Sequence, residues 1–167
     1  MRGGSFKRAC VAWLLVAFFF CGAAYPQSPA PPFGKVPVYD LIKLKPDQLK
    51  SALVKLYGPT AKVRWDKPYE SWIAETPSFT VEVAPYKGRV LNVLLRFPRR
   101  VEIAQALSTL GLRYPPPTKA APAAFYWQQV FDGIDEVMAI RNPDKSSLTV
   151  HILVTPNVAL YEQWSHE

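Results

Sequence analysis

Side chains that commonly carry enzyme chemistry are scarce in this sequence. Its 167 residues include two histidines and two cysteines, too few for a thiolate zinc site or a disulfide scaffold. The only histidine inside a predicted element is His151, in the alternating segment LTVHILV, where it points away from the apolar side. No G-x-S-x-G motif supplies a serine nucleophile, and no glycine-rich loop is spaced to cradle a phosphate. The sequence therefore predicts no catalytic or metal-binding residue and no cofactor.

A carboxylate cluster supports one enzymatic alternative. Asp132, Asp135 and Glu136 surround a glycine turn and, with His151, would suit a secreted hydrolase or lyase, because carboxylates of different pKa can act as acid and base. Acidic residues beside glycine are also typical of turns and solvated surfaces. We therefore predict a non-enzymatic binding module and keep this enzyme as the alternative.

The N-terminus has the three parts of an export signal. A positive start, an apolar run and three small residues follow one another: Arg2, Lys7 and Arg8, then residues 9–21, then Gly22-Ala23-Ala24. We predict a signal peptide over residues 1–24 and a periplasmic or secreted protein. An uncleaved anchor is the alternative, although the run is shorter than the roughly 20 residues that span a bilayer. Cleavage after Ala24 would remove both cysteines, Cys10 and Cys21.

The segment after the signal differs in composition from the rest of the chain. Residues 25–37 (YPQSPAPPFGKVP) contain five prolines and no apolar periodicity, as in extended linkers. We predict a linker over residues 25–37 and a single domain over residues 38–167, beginning near Val38.

Two amphipathic helices are predicted 54 residues apart. Leu49, Ala52, Leu53 and Leu56 have helical spacing, and Ile103, Ala106, Leu107 and Leu110 repeat it. Each helix follows a proline and ends at a glycine, Gly58 or Gly111, which favours a helix stop. Short alternating segments follow each helix, separated by turn residues.

This order of elements predicts an α+β fold. We expect two tandem α-β-β-β repeats, at about residues 41–98 and 99–156, plus a C-terminal tail that could form a short helix. Short turns favour antiparallel pairing, so the strands should form one sheet of roughly six strands with both helices packed on one face. The other face would carry Asn92, Arg96 and His151. Together with Trp72 and Trp127, whose residue type is common at interfaces, they form the predicted binding surface.

Charge is unevenly divided between the predicted halves. Residues 25–100 contain 13 basic and 6 acidic residues, whereas residues 101–167 contain 4 and 7. The basic half suits an anionic membrane surface, a glycan or an acidic protein, while an exported protein rarely meets nucleic acid. We predict another extracytoplasmic protein as the partner, with membrane or glycan as alternatives; the oligomeric state is open.

A resemblance rests on the segment DQLKSALVKLYGPT, residues 47–60, followed by a tryptophan and two alternating strands. It resembles the helix-to-strand unit of small bacterial envelope proteins of the SmpA/OmlA type, which share their architecture with tandem-repeat β-lactamase-inhibitor proteins. The likeness extends over residues 41–97 and more weakly over 101–154, and it implies a non-catalytic protein-binding module. The chain lacks the lipobox cysteine of the envelope lipoproteins and the disulfides of the inhibitors, and no binding residue transfers.

Overall fold

The computed structural model describes residues 34–142 and 146–164. The predicted signal peptide and residues 25–33 of the predicted linker lie outside this range. The helices are α1 (Val38–Leu41), α2 (Pro46–Tyr57), α3 (Ile103–Thr109) and α4 (Val158–Trp164). The strands are β1 (Lys62–Asp66), β2 (Ser71–Glu75), β3 (Thr80–Tyr86), β4 (Arg89–Phe97), β5 (Lys119–Ala121), β6 (Ala124–Phe131), β7 (Ile134–Arg141) and β8 (Leu148–Val154). Among the described residues, no helix is long and apolar enough to cross a membrane.

All eight strands belong to one antiparallel sheet in the order β1-β2-β3-β4-β8-β7-β6-β5. The α+β class is therefore confirmed, but the expected number of about six strands is too low. Each predicted repeat has three strands, whereas four strands follow each of α2 and α3. One of the additional strands is β5, which has three residues and follows the run Pro115-Pro116-Pro117. At the centre of the sheet, residues 92–97 of β4 pair with residues 148–153 of β8. This pairing joins the two halves of the chain.

Helices α2 and α3 pack on the same face of the sheet. Leu49 and Leu53 of α2 belong to one buried cluster with all four predicted apolar residues of α3. The cluster also contains the inward residues of the central strands: Val93, Leu95, Phe97, Leu148, Val150 and Ile152. Burying each such side chain contributes roughly 1.5–3 kcal/mol relative to leaving it exposed. The central strands and the helices above them therefore form the core.

The buried stripe of α2 differs from the predicted one at its end. Leu56 is 42% exposed, whereas Tyr57 is half-buried and its ring lies edge-on to Phe79, with 5.9 Å between ring centroids. The stripe thus follows the i, i+4, i+8 row Leu49, Leu53 and Tyr57, which is a ridge along which helices commonly pack. Gly58 then ends the helix with φ of 63°, a conformation that glycine adopts readily.

Both ends of the described domain contact the rest of the fold. Val36 is fully buried and its N–H donates to the Thr109 carbonyl oxygen at 2.7 Å, so the core includes a residue before the predicted start near Val38. The helix expected in the tail is present as α4, which contacts β4.

We expect two leucines of α2 to differ sharply when each is replaced by alanine. Leu53→Ala should lower the free energy of unfolding by about 3 kcal/mol, because it leaves a cavity beneath the sheet. Leu56→Ala, the matched control on the same helix, should cost about 0.5 kcal/mol because the side chain is already exposed. Denaturant unfolding measures both, and equal losses would contradict the packing described here.

Candidate functional site

The strand register aligns one residue from each strand across the sheet on the side away from α2 and α3, which we call the open face. The cross-strand partners in this row are Arg64, Ile73, Glu82, Leu94, His151, Met138, Tyr126 and Lys119. Their chain neighbours, such as Val83, Val93 and Ile152, point into the core, and successive side chains of a strand alternate between faces. The row therefore lies opposite the helices.

Accessibility varies along the open face. Ser71, Ile73, Glu82 and Asn92, on β2 to β4, are buried even though they lie on this side. Seven residues of β4, β8, β7 and β6 are half-buried or exposed, and we call them the open-face patch: Leu94, Arg96, Thr149, His151, Met138, Ile140 and Tyr126. The patch is therefore an accessible region of the open face that extends from β4 to β6.

Glu82 anchors the charged end of the patch. It is 8% exposed, and its Oε2 lies 2.7 Å from Nη1 of Arg96, whose side chain is half-exposed. The Ser71 hydroxyl donates to the Oε1 atom of Glu82 at 2.9 Å. A carboxylate this deeply buried is costly unless it is paired and hydrogen-bonded. These two bonds hold the Arg96 guanidinium over the sheet.

Sequence reasoning missed Glu82. Its signal is the alternation in FTVEV, where Val81 and Val83 point into the core and Glu82 must point away. The strand pairing that brings Glu82 beside Arg96 depends on the register of β3 and β4.

His151 occupies the centre of the patch, paired with Leu94 across β4 and β8. Burial lowers the pKa of His151, and the nearby carboxylates Glu136 and Glu82 oppose this effect without reversing it. The Glu136 carboxylate itself accepts a hydrogen bond from Nε2 of Gln128 at 2.9 Å. At neutral pH the imidazole is therefore uncharged, with one donor and one acceptor nitrogen.

The five residues of the predicted binding surface lie on two different faces. Asn92, Arg96 and His151 share the open face, with Asn92 buried. Trp72 and Trp127 pair with Val83 and Val137, which point into the core, so the two tryptophans lie on the helix side.

Both tryptophans have structural contacts there. Trp127 is fully buried and its Nε1 donates to the Pro115 carbonyl oxygen at 2.9 Å. Trp72 lies beside Trp65, with 5.3 Å between ring centroids, and beneath the Lys50 ammonium group. The aromatic residue that reaches the open-face patch is Tyr126.

The residues of the carboxylate alternative are also divided. Glu136 lies close enough to His151 to act on its charge. Asp132 instead follows β6 and lines a shallow cleft of about 380 Å³ with Tyr39, whose pKa is raised by burial and by the Asp132 charge. Within residues 34–142 and 146–164, no group of three or more His, Cys, Asp or Glu side chains is arranged to hold a metal ion. Asp132 therefore lies in a different place from Glu136 and His151.

Comparisons of the chain with family models, with curated proteins and with solved structures give no match. The resemblance to envelope and inhibitor proteins stays a prediction.

The free energy of unfolding should decrease as the pH is lowered through a window set by the pKa of His151. Because the folded-state pKa lies below the usual value near 6.5, the unfolded chain binds the proton more readily. The contribution of neutral His151 to the free energy of unfolding is complete above pH 6.5. It is lost as the pH falls through the folded-state pKa of this side chain. Denaturant unfolding of wild type and His151→Gln at a series of pH values measures it.

The glutamine variant should lose the part of the pH dependence that lies just below pH 6.5 and keep the part due to carboxylates at lower pH. An NMR titration of the His151 ring should give a pKa below 6.5. A pKa above that value would contradict the burial of this side chain.

Proposed function

We propose that this protein is an extracytoplasmic, non-enzymatic module that binds another protein through the open-face patch. The observation that carries the proposal is the composition of the patch. Leu94, Met138, Ile140 and Tyr126 share the face with a half-exposed arginine that is fixed by a buried carboxylate. Tyr, Met and Arg are enriched in protein interfaces, and an arginine held in place loses little side-chain entropy on binding.

Charge on the open face favours a protein partner over a polyanion. By strand register the face carries cations and anions in nearly equal number: Lys62, Arg64, Arg89, Arg96 and Lys119 against Asp66, Glu75, Glu82 and Glu136. Surfaces that bind nucleic acid or anionic lipid instead carry an excess of one charge. An anionic membrane or glycan would suit a region outside the open-face patch, the cleft lined by Lys43, Lys45 and Arg89.

Export to the periplasm or the cell exterior is the second part of the proposal and rests on residues 1–24. Their basic start, apolar run and small residues support a signal peptide. If the protein is exported, its partner must be present in the same compartment.

We also propose that the domain arose by duplication of a unit of one helix and four strands. Both α2 and α3 precede four strands, and the two groups of strands meet at β4 and β8. Leu94 and His151 are 57 residues apart, close to the 54-residue spacing of the two predicted helices, and they pair with each other. A local twofold axis through this pair would relate the halves and would match Trp72 to Phe125.

Duplication would explain why the patch lies at the centre of the sheet. Equivalent positions in the central row have diverged: Glu82 corresponds to Met138, and Ile73 to Tyr126. One half then supplies charge and the other supplies apolar surface.

Site-specific photo-crosslinking in the native cell tests the binding proposal. A photoreactive residue at Thr149 should give a discrete adduct with one protein, and the added charge of Leu94→Glu should abolish it because the charge would be buried in the interface. The same probe at Lys55, exposed on α2, is the control and should give no adduct with the protein that is captured at Thr149.

The adduct partner, once purified, should bind wild type as a defined complex and bind Leu94→Glu at least about tenfold more weakly. Adducts from Lys55 but not Thr149 would contradict the proposal. Adducts with lipid or glycan alone at Thr149 would also contradict it and would favour the alternative ligands.

A further inference from the structure

The two edges of the sheet are built differently. Edge strand β5 has three residues and lies between Pro115-Pro116-Pro117 and Pro122, and short strands with flanking prolines resist pairing with another chain. Edge strand β1 has five residues without proline and pairs with β2 on one side. Within the described chain, the other side of β1 has no strand partner. The β1 edge is therefore the one able to accept a further strand.

Apolar surface accompanies this edge. Of the six large apolar side chains that are clearly exposed among the described residues, four lie on α2, on β1 and in the turn after β1: Val54, Leu56, Trp65 and Tyr69. Helix α2 contacts β1. The exposed fraction is 43% for Trp65 and 62% for Tyr69. Exposed apolar surface beside an unpaired strand is typical of an interaction site.

Two β1 strands are complementary in charge when they pair antiparallel. In an antiparallel pair of two β1 strands centred on Arg64, Lys62 of one copy faces Asp66 of the other, and Val63 faces Trp65. Opposite charges directly across a strand pair stabilise it, whereas like charges destabilise it. This register pairs all five residues and places both charge pairs favourably.

Arg64 would face its own copy at the centre of this pair. Each Arg64 already has carboxylate partners in its own chain, since its Nη2 lies 3.1 Å from Oε1 of Glu75 and its Nη1 lies 3.6 Å from Oδ2 of Asp66. These carboxylates neutralise the two guanidinium groups. A carboxylate has enough acceptor sites for Asp66 to receive a lysine from the second copy as well.

We propose that the protein forms a symmetric dimer in which the β1 edges of two copies pair antiparallel through the register centred on Arg64. Such an interface is isologous, as in most homodimers. A five-residue edge alone is small compared with the roughly 1,200 Å² of a stable interface, so the apolar side chains beside it supply the additional contact. The sheets join into one, and both open faces lie on the same side.

This arrangement would present two open-face patches on one continuous sheet. A partner that is itself dimeric or repetitive would then bind both patches, and the second contact would be strengthened by the tether to the first. The dimer itself does not depend on what the patch binds.

Charge exchange between the two ends of β1 tests the dimer. Protein produced from the full-length coding sequence is compared by sedimentation over a wide range of concentrations, with circular dichroism to verify folding. Wild type should sediment as a dimer. Lys62→Asp and Asp66→Lys should each raise the dimer dissociation constant at least about tenfold, because each places like charges opposite one another.

The double variant Lys62→Asp/Asp66→Lys should restore dimerisation to near the wild-type value, since the charges are again opposite. Lys119→Asp, a charge reversal at the β5 edge, is the control and should leave the dimer unchanged. A monomeric wild type, a folded double variant that stays monomeric, or equal weakening by Lys119→Asp would each overturn the proposal.

Discussion

The pairing of β4 with β8 is the constraint on which the rest of the fold depends. It joins residues 92–97 to residues 148–153, so two halves distant in sequence share one sheet. Its inward side chains are fully or almost fully buried beneath α2 and α3. Its outward side chains, Leu94 and Arg96 with Thr149 and His151, form the middle of the open-face patch. One ladder thus supplies both the core and the surface proposed to bind.

This shared origin limits how the surface can vary. A one-residue shift of β4 against β8 would turn Leu95 outward while Val150 still faced the core, because side chains alternate strictly along a strand. The packing under the helices therefore fixes the position of every residue in the patch. Glu82 adds a second restraint, since its bond to Arg96 holds a long, flexible side chain in one direction. The result is a preorganised surface.

Much of this fold is predictable from the sequence, because periodicity reports local burial. The stripe of α3 and strands β4 and β8 follow directly from the spacing of their apolar residues. The three-residue β5 has too little pattern to recognise, and Leu56 has helical spacing but lies beyond the reach of the core. The residues of the candidate site are predictable only in part. Alternation along each strand predicts that Asn92, Arg96 and His151 lie on the open face. The faces of Trp72 and Trp127, and the contact of Glu82 with Arg96, depend on pairings that one strand alone does not reveal.

Cysteine accessibility at the open face measures most directly whether that face is occupied in the cell. The only cysteines of the chain are Cys10 and Cys21, within the predicted signal peptide, so single cysteines can be introduced at Thr149 on the patch and at Lys55 on α2. With a water-soluble maleimide, both should react in the purified protein. In the native compartment, Thr149→Cys should be protected relative to Lys55→Cys if a partner covers the patch. If the rate at Thr149→Cys relative to Lys55→Cys is the same in the native compartment as in the purified protein, the proposal that the open face binds another protein is contradicted.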